Sequence, residues 1–283
     1  MTRKLFGSTG LEVPVIGQGT WMIEGSSEQE AVAVDALRLG LDLGLTHIDT
    51  AEMYGSGRAE EVTGKAIAGR RDQVFLASKV LPSNASYDGT LQACERSLTR
   101  LGTDRLDLYL LHWESSYPIG ETMRAMAHLI DTGQIRAAGV SNFDVNQLQA
   151  AQAALPNHRL ASNQVLYHLG ERGIERKLIP YCQQHQIAVV GYTPFGRGAF
   201  PKPSSPGGKV LAQVAERNGR TVRQVILNFL TRLPQLFTIP KAGNPDHTRE
   251  NAGATGWNLS REDIAAIDRA FPAPTSDSPL AML

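Results

Sequence analysis

Eight short apolar runs, each followed by a stretch with helical periodicity, recur along the chain with no break in composition between them. They cover residues 15–21, the segment ending at Asp49, then 74–78, 106–111, 135–140, about 160–164, 187–191 and 236–239. Runs of this kind, apolar without polar alternation, are buried on both faces, which calls for a parallel sheet sheathed by helices. Eight such units within 283 residues point to an α/β fold of the closed (β/α)8 barrel type, with residues 1–283 forming one domain. An open doubly wound sheet is the alternative, but no G-x-G-x-x-G follows the first run. Ahead of the barrel pattern, residues 4–14 (K-L-F-G-S-T-G-L-E-V-P) read as a β-hairpin.

The helical segments carry ordinary signals. Ser27-x-x-Glu30 reads as a capping box opening a helix over 28–43 with Val34, Leu37 and Leu41 on one face. Further helices are expected over 58–68, from Leu91 to Leu101, from Met123 to Ile130, from about 144, and over 175–185 and 209–218. A helix capped by Thr221 and two more near 246–252 and 260–270 complete the set. Methionines at helical spacing serve as core filler. The Gly/Pro/Ser-rich stretch 196–208 is long enough to act as a mobile flap.

Lysine plus arginine and aspartate plus glutamate each number 28, so no net charge draws the chain to nucleic acid or to membranes. Neither a run of 18 apolar residues nor a signal-peptide pattern occurs, and a cytoplasmic protein is expected. Cys94 and Cys182 have no metal-ligand spacing; they read as reduced structural thiols, and no metal is expected. The partner expected is a small molecule, with a monomer as the default state.

In a barrel of this kind the residues that follow each strand converge on one mouth. Here they are Trp21, Asp49, Lys79, His112, Ser141 with Asn142, Gln164, Tyr192 and Lys241. Taken singly, each has a plain structural reading: a solvated Lys79, a satisfied core His112, a helix-capping Asn142, a packing Tyr192. Together they make an acid–base set with Tyr54, which stands five residues beyond Asp49 across a short turn. A phenol has a free pKa of about 10 and becomes a useful proton donor near neutrality when a cation stabilises its phenolate. Lys79, held charged by Asp49, is expected to depress the Tyr54 pKa. Tyr54 could then protonate a carbonyl oxygen during reduction while His112 polarises it. A hydride donor is required besides, and that implies a nicotinamide cofactor.

These pieces resemble the aldo/keto reductases, in particular a bacterial methylglyoxal-reductase-like branch. The likeness lies in G-Q-G-T-W (17–21), I-D-T-A-E-M-Y (48–54), Ser78-Lys79, L-L-H-W (110–113), G-V-S-N-F (139–143), N-Q-V-L-Y-H-L-G (163–170), Y-T-P-F (192–195) and I-P-K-A (239–242), in family order along the chain. The resemblance implies a catalytic tetrad of Asp49, Tyr54, Lys79 and His112, with Tyr54 the proton donor and Trp21, Trp113 and His112 against substrate. It implies that Ser141, Asn142 and Gln164 bind the nicotinamide carboxamide, that Tyr192 stacks on the ring, and that Glu250 and Asn251 lie near adenine. Gly19, Thr20, Trp21, Asp49, Thr193, Pro194, Phe195, Gly196 and Ala242 join the implied cofactor contacts.

Lys241 would meet the 2′-phosphate of NADPH, but His247 stands where many relatives carry arginine. The short helix beginning at Asp246-His247-Thr248-Arg249 is expected to offer free backbone N–H groups and a favourable dipole for a phosphate, and Arg249 is a candidate second cation. NADPH is therefore the expected cofactor, with NADH possible but weaker. Little chain lies between Trp113 and the next helix or beyond the last helix, which suggests an open, loosely selective pocket. Two other readings, a Schiff-base aldolase at Lys79 and a non-catalytic nicotinamide-binding barrel, fit the intact acid–base set less well.

Overall fold

The apolar runs pair in the order in which they occur along the chain. A computed structural model describes residues 1–241 and 243–283; the expected cofactor contact Ala242 lies outside the described residues. Strand β1 (Arg3–Leu5) pairs antiparallel with β2 (Glu12–Pro14), and eight parallel strands follow. These are β3 (Gln18–Gly19), β4 (His47–Asp49), β5 (Phe75–Val80), β6 (Leu108–Leu111), β7 (Ala138–Ser141), β8 (Ser162–Leu166), β9 (Ala188–Tyr192) and β10 (Leu236–Thr238). The sheet closes where Ile16 bridges Thr238 and Gly19 bridges Lys241, so the fold is the expected (β/α)8 barrel with an N-terminal hairpin.

Among the described residues ten helices cover it: α1 (Ser27–Asp42), α2 (Arg58–Ile67), α3 (Tyr87–Leu101), α4 (Ile119–Asp131), α5 (Val145–Ala154), α6 (Leu178–Gln184), α7 (Pro206–Asn218), α8 (Val222–Leu230), α9 (Pro245–Ala252) and α10 (Arg261–Ala270). Among the described residues no helix is long and apolar enough to cross a membrane. The interior of the barrel and the layer between sheet and helices form separate cores. Phe75, Ala77, Leu108, Leu110, Val190 and Phe237 fill the first; Ile48, Leu76, Val80, Tyr109 and Val165 belong to the second. The hairpin plugs the floor with Phe6, whose ring centroid lies 4.7 Å from Phe75 and 4.8 Å from Phe237. Gly7 turns the chain there with φ of 53°, and a Cβ on it would stand 2.0 Å from the Ala161 carbonyl oxygen.

Side chains alternate across a strand with period two. Because Phe75 and Ala77 point inward, Lys79 must as well; because Leu108 and Leu110 do, so does His112. The same parity turns Asp49, Gln164 and Tyr192 into the barrel.

Several boundaries differ from those read in the sequence. Strand β5 runs on through Lys79 to Val80, and β8 runs on past Gln164 to Leu166, so both residues lie within strands rather than after them. The 135–140 run yields only β7, since Ile135 closes α4 by bonding to the Leu129 carbonyl and makes a single bridge to Leu106. The capping box lies one residue earlier, between Ser26 and Gln29; Glu30 instead grips the Arg58 guanidinium through both oxygens, at 2.6 and 2.7 Å. Ser205 caps α7 ahead of Pro206, which shortens the loop to 196–205. The stretch 175–185 divides into a 3-10 turn (Gly173–Glu175) and α6. Cys94 and Cys182 are free and buried, and burial pushes both thiols up to about 12.

One polar residue sits on the barrel floor without a partner. Both ring nitrogens of His47 are buried and unbonded among the described residues, with the ring edge-on to Phe6 and Phe75. Burial pushes its pKa down to about 4 from 6.5. Below pH 6.5 the unfolded chain therefore binds a proton that the folded chain refuses, and stability falls as pH drops towards 4. This group alone should remove about 2 kcal/mol between pH 8 and pH 5. In urea titrations, His47→Phe should lose correspondingly less stability over that interval than the parent; an equal loss in both would exclude His47 as a source of acid lability.

Candidate active site

Tyr54 reaches the barrel axis because the loop carrying it is pinned to β5. Thr50 N–H donates to Ala77 O at 2.9 Å, and the buried Glu52 carboxylate accepts from Leu81 N–H at 2.7 Å and from Asn84 Nδ2 at 2.9 Å. A 3-10 turn from Tyr54 to Gly57 then leads into α2.

At the centre of the mouth lies the ammonium of Lys79, fully buried. Its three N–H bonds have three acceptors: Asp49 Oδ1 at 2.6 Å, Thr50 O at 2.8 Å and Tyr54 Oη at 3.3 Å. The other Asp49 oxygen accepts from Gln164 Nε2 at 2.7 Å. An ammonium can only donate, so the Tyr54 oxygen accepts here and its own proton is left to point elsewhere. The Tyr54 ring stands edge-on to His112 with centroids 5.8 Å apart.

The electrostatics are those of a tight buried set. Burial works against charge on Lys79, but Asp49 and Tyr54 outweigh it, and its pKa lies above the ordinary value. Burial raises the Tyr54 phenol above 10; Lys79 pulls it down and Asp49 pushes it up again. The net depression expected from Lys79 is thus absent in this geometry, because desolvation and Asp49 together outweigh the cation. His112 is pushed down to about 3 by burial and then by Lys79, so its imidazole is neutral near pH 7. Nδ1 of that ring is buried without a partner among the described residues.

Asp49, Tyr54 and His112 line a cavity of about 410 Å³, with Lys79 buried behind them; its walls include Gly19, Thr20, Trp21 and Trp113 on one side. Ser141, Asn142, Gln164, Tyr192, Thr193, Pro194, Phe195 and Lys241 stand on the others. Tyr192 Oη donates to Asn142 Oδ1 at 3.0 Å, and Asn142 Nδ2 donates to Ser141 Oγ at 3.2 Å. Ser141 and Gln164 face each other across the β7–β8 ladder. Neither the Ser141 proton nor Gln164 Oε1 has a protein partner among the described residues, leaving one donor and one acceptor side by side. Left-handed backbone at Met22, Asn142 and Thr193 clusters around the rim, a strain that recurs at functional sites. Gly196 does not face the cavity; at φ of 60° it forms the turn behind Phe195, with its N–H on the Thr193 carbonyl.

His247, Glu250 and Asn251 are not at this mouth. They line an adjoining cavity of about 320 Å³, and Phe195 and Lys241 belong to both, so the two form one groove. The amides expected to be free at the start of α9 are engaged, since Asn244 Oδ1 accepts from Asp246 N–H at 2.8 Å and from His247 N–H at 3.4 Å. Arg249 turns outward to Asp246 at 3.0 Å and is not a wall of the groove.

Several residues of the groove carry no signal in the sequence. Met53 and Arg197 line the mouth, the Arg197 guanidinium standing 4.6 Å over the Trp21 ring, and Arg223 lines the second cavity. The segment beyond α10 was expected to leave the pocket open. Instead it returns across the barrel: Asp277 pairs with Arg176 at 2.9 Å and with Lys177, Leu280 packs on the core, and Leu283 lines the mouth. Helical periodicity carries no signal for such an irregular strap.

Among the described residues no cluster of histidine, cysteine and carboxylate side chains could hold a metal ion. A family profile described as "Aldo/keto reductase family" matches residues 15–271. The chain is similar to methylglyoxal reductase YeaE of Escherichia coli (strain K12), 42% identical over 284 residues covering 100% of both chains. It is 33% identical to glyoxal reductase of Bacillus subtilis (strain 168), over 92% of this chain and 89% of that one. An aldo-keto reductase from Klebsiella pneumoniae, solved in complex with NADPH, superposes with a TM-score of 0.94 at 44% identity over 100% of both chains.

Removing one partner of a buried ion pair strands the other charge, a loss of about 3–5 kcal/mol. Asp49→Asn should be destabilised by that order in equilibrium urea unfolding. The double variant Asp49→Asn/Lys79→Met should be clearly more stable than the sum of the two single losses. Strict additivity would contradict a coupled pair.

Proposed function

The chain belongs to the aldo/keto reductase family, and from that premise we propose that it reduces small aldehydes and dicarbonyls such as methylglyoxal to alcohols, using NADPH. The observation that carries this reading is the committed Lys79 ammonium, which fixes the Tyr54 oxygen as acceptor and leaves the phenolic proton for a carbonyl oxygen in the cavity. Bound NADPH supplies the hydride, which no protein side chain can provide.

His112 cannot be the acid, since with a pKa of about 3 it carries no extra proton at neutral pH. A neutral imidazole can instead donate one N–H to the same carbonyl oxygen and stabilise the charge that develops there. Tyr54 then transfers its proton, and Lys79, held charged by Asp49, stabilises the phenolate left behind. The raised phenol pKa keeps Tyr54 protonated until that moment.

The groove suits the cofactor. Ser141 and Gln164 present the donor and acceptor that a primary carboxamide needs, and Tyr192 closes the end of β9 beside them. Lys241 and His247 line the far lobe, which would take the end of NADPH that carries the phosphate distinguishing it from NADH. NADH would bind more weakly. The mouth, narrowed by Trp21, Trp113 and Leu283, favours compact carbonyls over bulky ones.

NADPH oxidation measured across a carbonyl panel should show turnover of methylglyoxal and short aldehydes, with no gain for steroid-sized ketones. Tyr54→Phe should keep NADPH affinity within about twofold while the chemical step slows by about 10²–10⁴-fold. Because His112 titrates near 3, kcat for reduction should show no histidine limb between pH 5 and 8. A Tyr54→Phe enzyme retaining half of parental single-turnover rate, or a limb near pH 6.5 abolished by His112→Gln, would overturn these roles.

A further inference from the structure

The far lobe of the groove holds a cation that the sequence reading did not consider. Arg223 sits in the first turn of α8, where a positive charge opposes the helix dipole and no acidic residue accompanies it. Its nearest carboxylate, Glu250 Oε2, is 3.9 Å away, at the outer limit of an ion pair. The guanidinium carbon stands over two aromatic rings, 4.6 Å from the Phe195 centroid and 5.2 Å from that of Phe200. Those contacts fix the direction of the fork without using its hydrogen-bond donors. Helix α8 is itself tied to α9, since Gln224 Nε2 donates to Glu250 O at 3.0 Å, so Arg223 keeps its place relative to His247 and Asn251.

The other candidates for an anion in this lobe are engaged. Lys241 Nζ donates to Met22 O at 2.7 Å, Arg249 is paired with Asp246, and the first amides of α9 serve Asn244. His247 carries a full charge only when protonated. Arg223 is thus a permanent, oriented and weakly paired cation walling the cavity that also contains Lys241 and His247.

We propose that Arg223, reaching over from α8, is the residue that selects NADPH over NADH by binding its 2′-phosphate. This rests on the NADPH reading above and names the residue through which it operates. The rigid fork suits a phosphate, to which it can donate two parallel bonds. Phe195 lies on the wall shared with the mouth, so the cation's aromatic support also borders the path along the groove.

The test is direct binding, by calorimetry on the purified full chain, of NADP⁺, NAD⁺, 2′,5′-ADP and 5′-AMP. The parent, Arg223→Ala, Arg223→Gln and Lys241→Ala are compared, with circular dichroism as the folding control. The Gln variant retains a polar side chain should the Ala variant fold poorly. Loss of a charge-assisted contact should weaken NADP⁺ and 2′,5′-ADP by about tenfold or more in both Arg223 variants, while NAD⁺ and 5′-AMP change by less than about twofold. Equal weakening of all four ligands would mean that Arg223 stacks on adenine or merely supports the loop, and would overturn the proposal. Unchanged NADP⁺ preference in both Arg223 variants, with preference lost in Lys241→Ala, would overturn it while leaving the NADPH reading intact. No preference for NADP⁺ in the parent would remove that reading itself.

Discussion

A lysine ammonium with no access to water needs every one of its N–H bonds satisfied and a counter-charge in contact. In this barrel those needs are met from three places: the end of β4, the loop after it, and the tyrosine at the start of the 3-10 turn. Meeting them fixes where β4 and β5 stand relative to one another and draws Gln164 in from the far side through the second oxygen of Asp49. The geometry proposed for catalysis is therefore a by-product of burying one charge. Tyr54 is oriented as an acceptor from Lys79, and its acidic proton has only the cavity to face. His112 feels the same charge, which together with burial keeps its ring neutral near pH 7.

Much of this was legible in the sequence, where the set is read from the residues that follow each apolar run, which converge on one mouth of such a barrel. Parity then explains why the structure turns Lys79 inward with Phe75 and Ala77. The (β/α) alternation and the hairpin were legible for similar reasons. Register was not: Lys79 and Gln164 lie inside their strands, because hydrogen bonding to neighbouring strands, rather than apolar composition, decides where β5 and β8 end. The capping box at Ser26 was displaced by one residue because Glu30, which fits the cap pattern, is claimed by Arg58 from another helix.

The lobe of the groove lined by Arg223, His247, Glu250 and Asn251 was the least legible part. Its contributors come from α8, α9 and the loop after β9, and neither periodicity nor local spacing shows that Arg223 faces His247. The supposed free amides of α9 are satisfied by Asn244, whose side chain caps the helix from outside. The tail past α10 likewise has no periodic pattern, yet the Asp277 pairs with Arg176 and Lys177 bring Leu283 to the rim. Non-local ion pairs of this sort are set by the finished fold.

The central claim is that the Lys79 charge controls the Tyr54 proton. The most direct measurement is the pH titration of the Tyr54 ring by NMR, with tyrosine carbon-13-labelled at Cζ and the resonance assigned by its absence in Tyr54→Phe. In the parent the phenol should ionise at higher pH than an ordinary tyrosine, as burial requires, and in Lys79→Met its ionisation should move to still higher pH. A Tyr54 titration that is unchanged, or shifted downward, in a folded Lys79→Met protein would contradict the account.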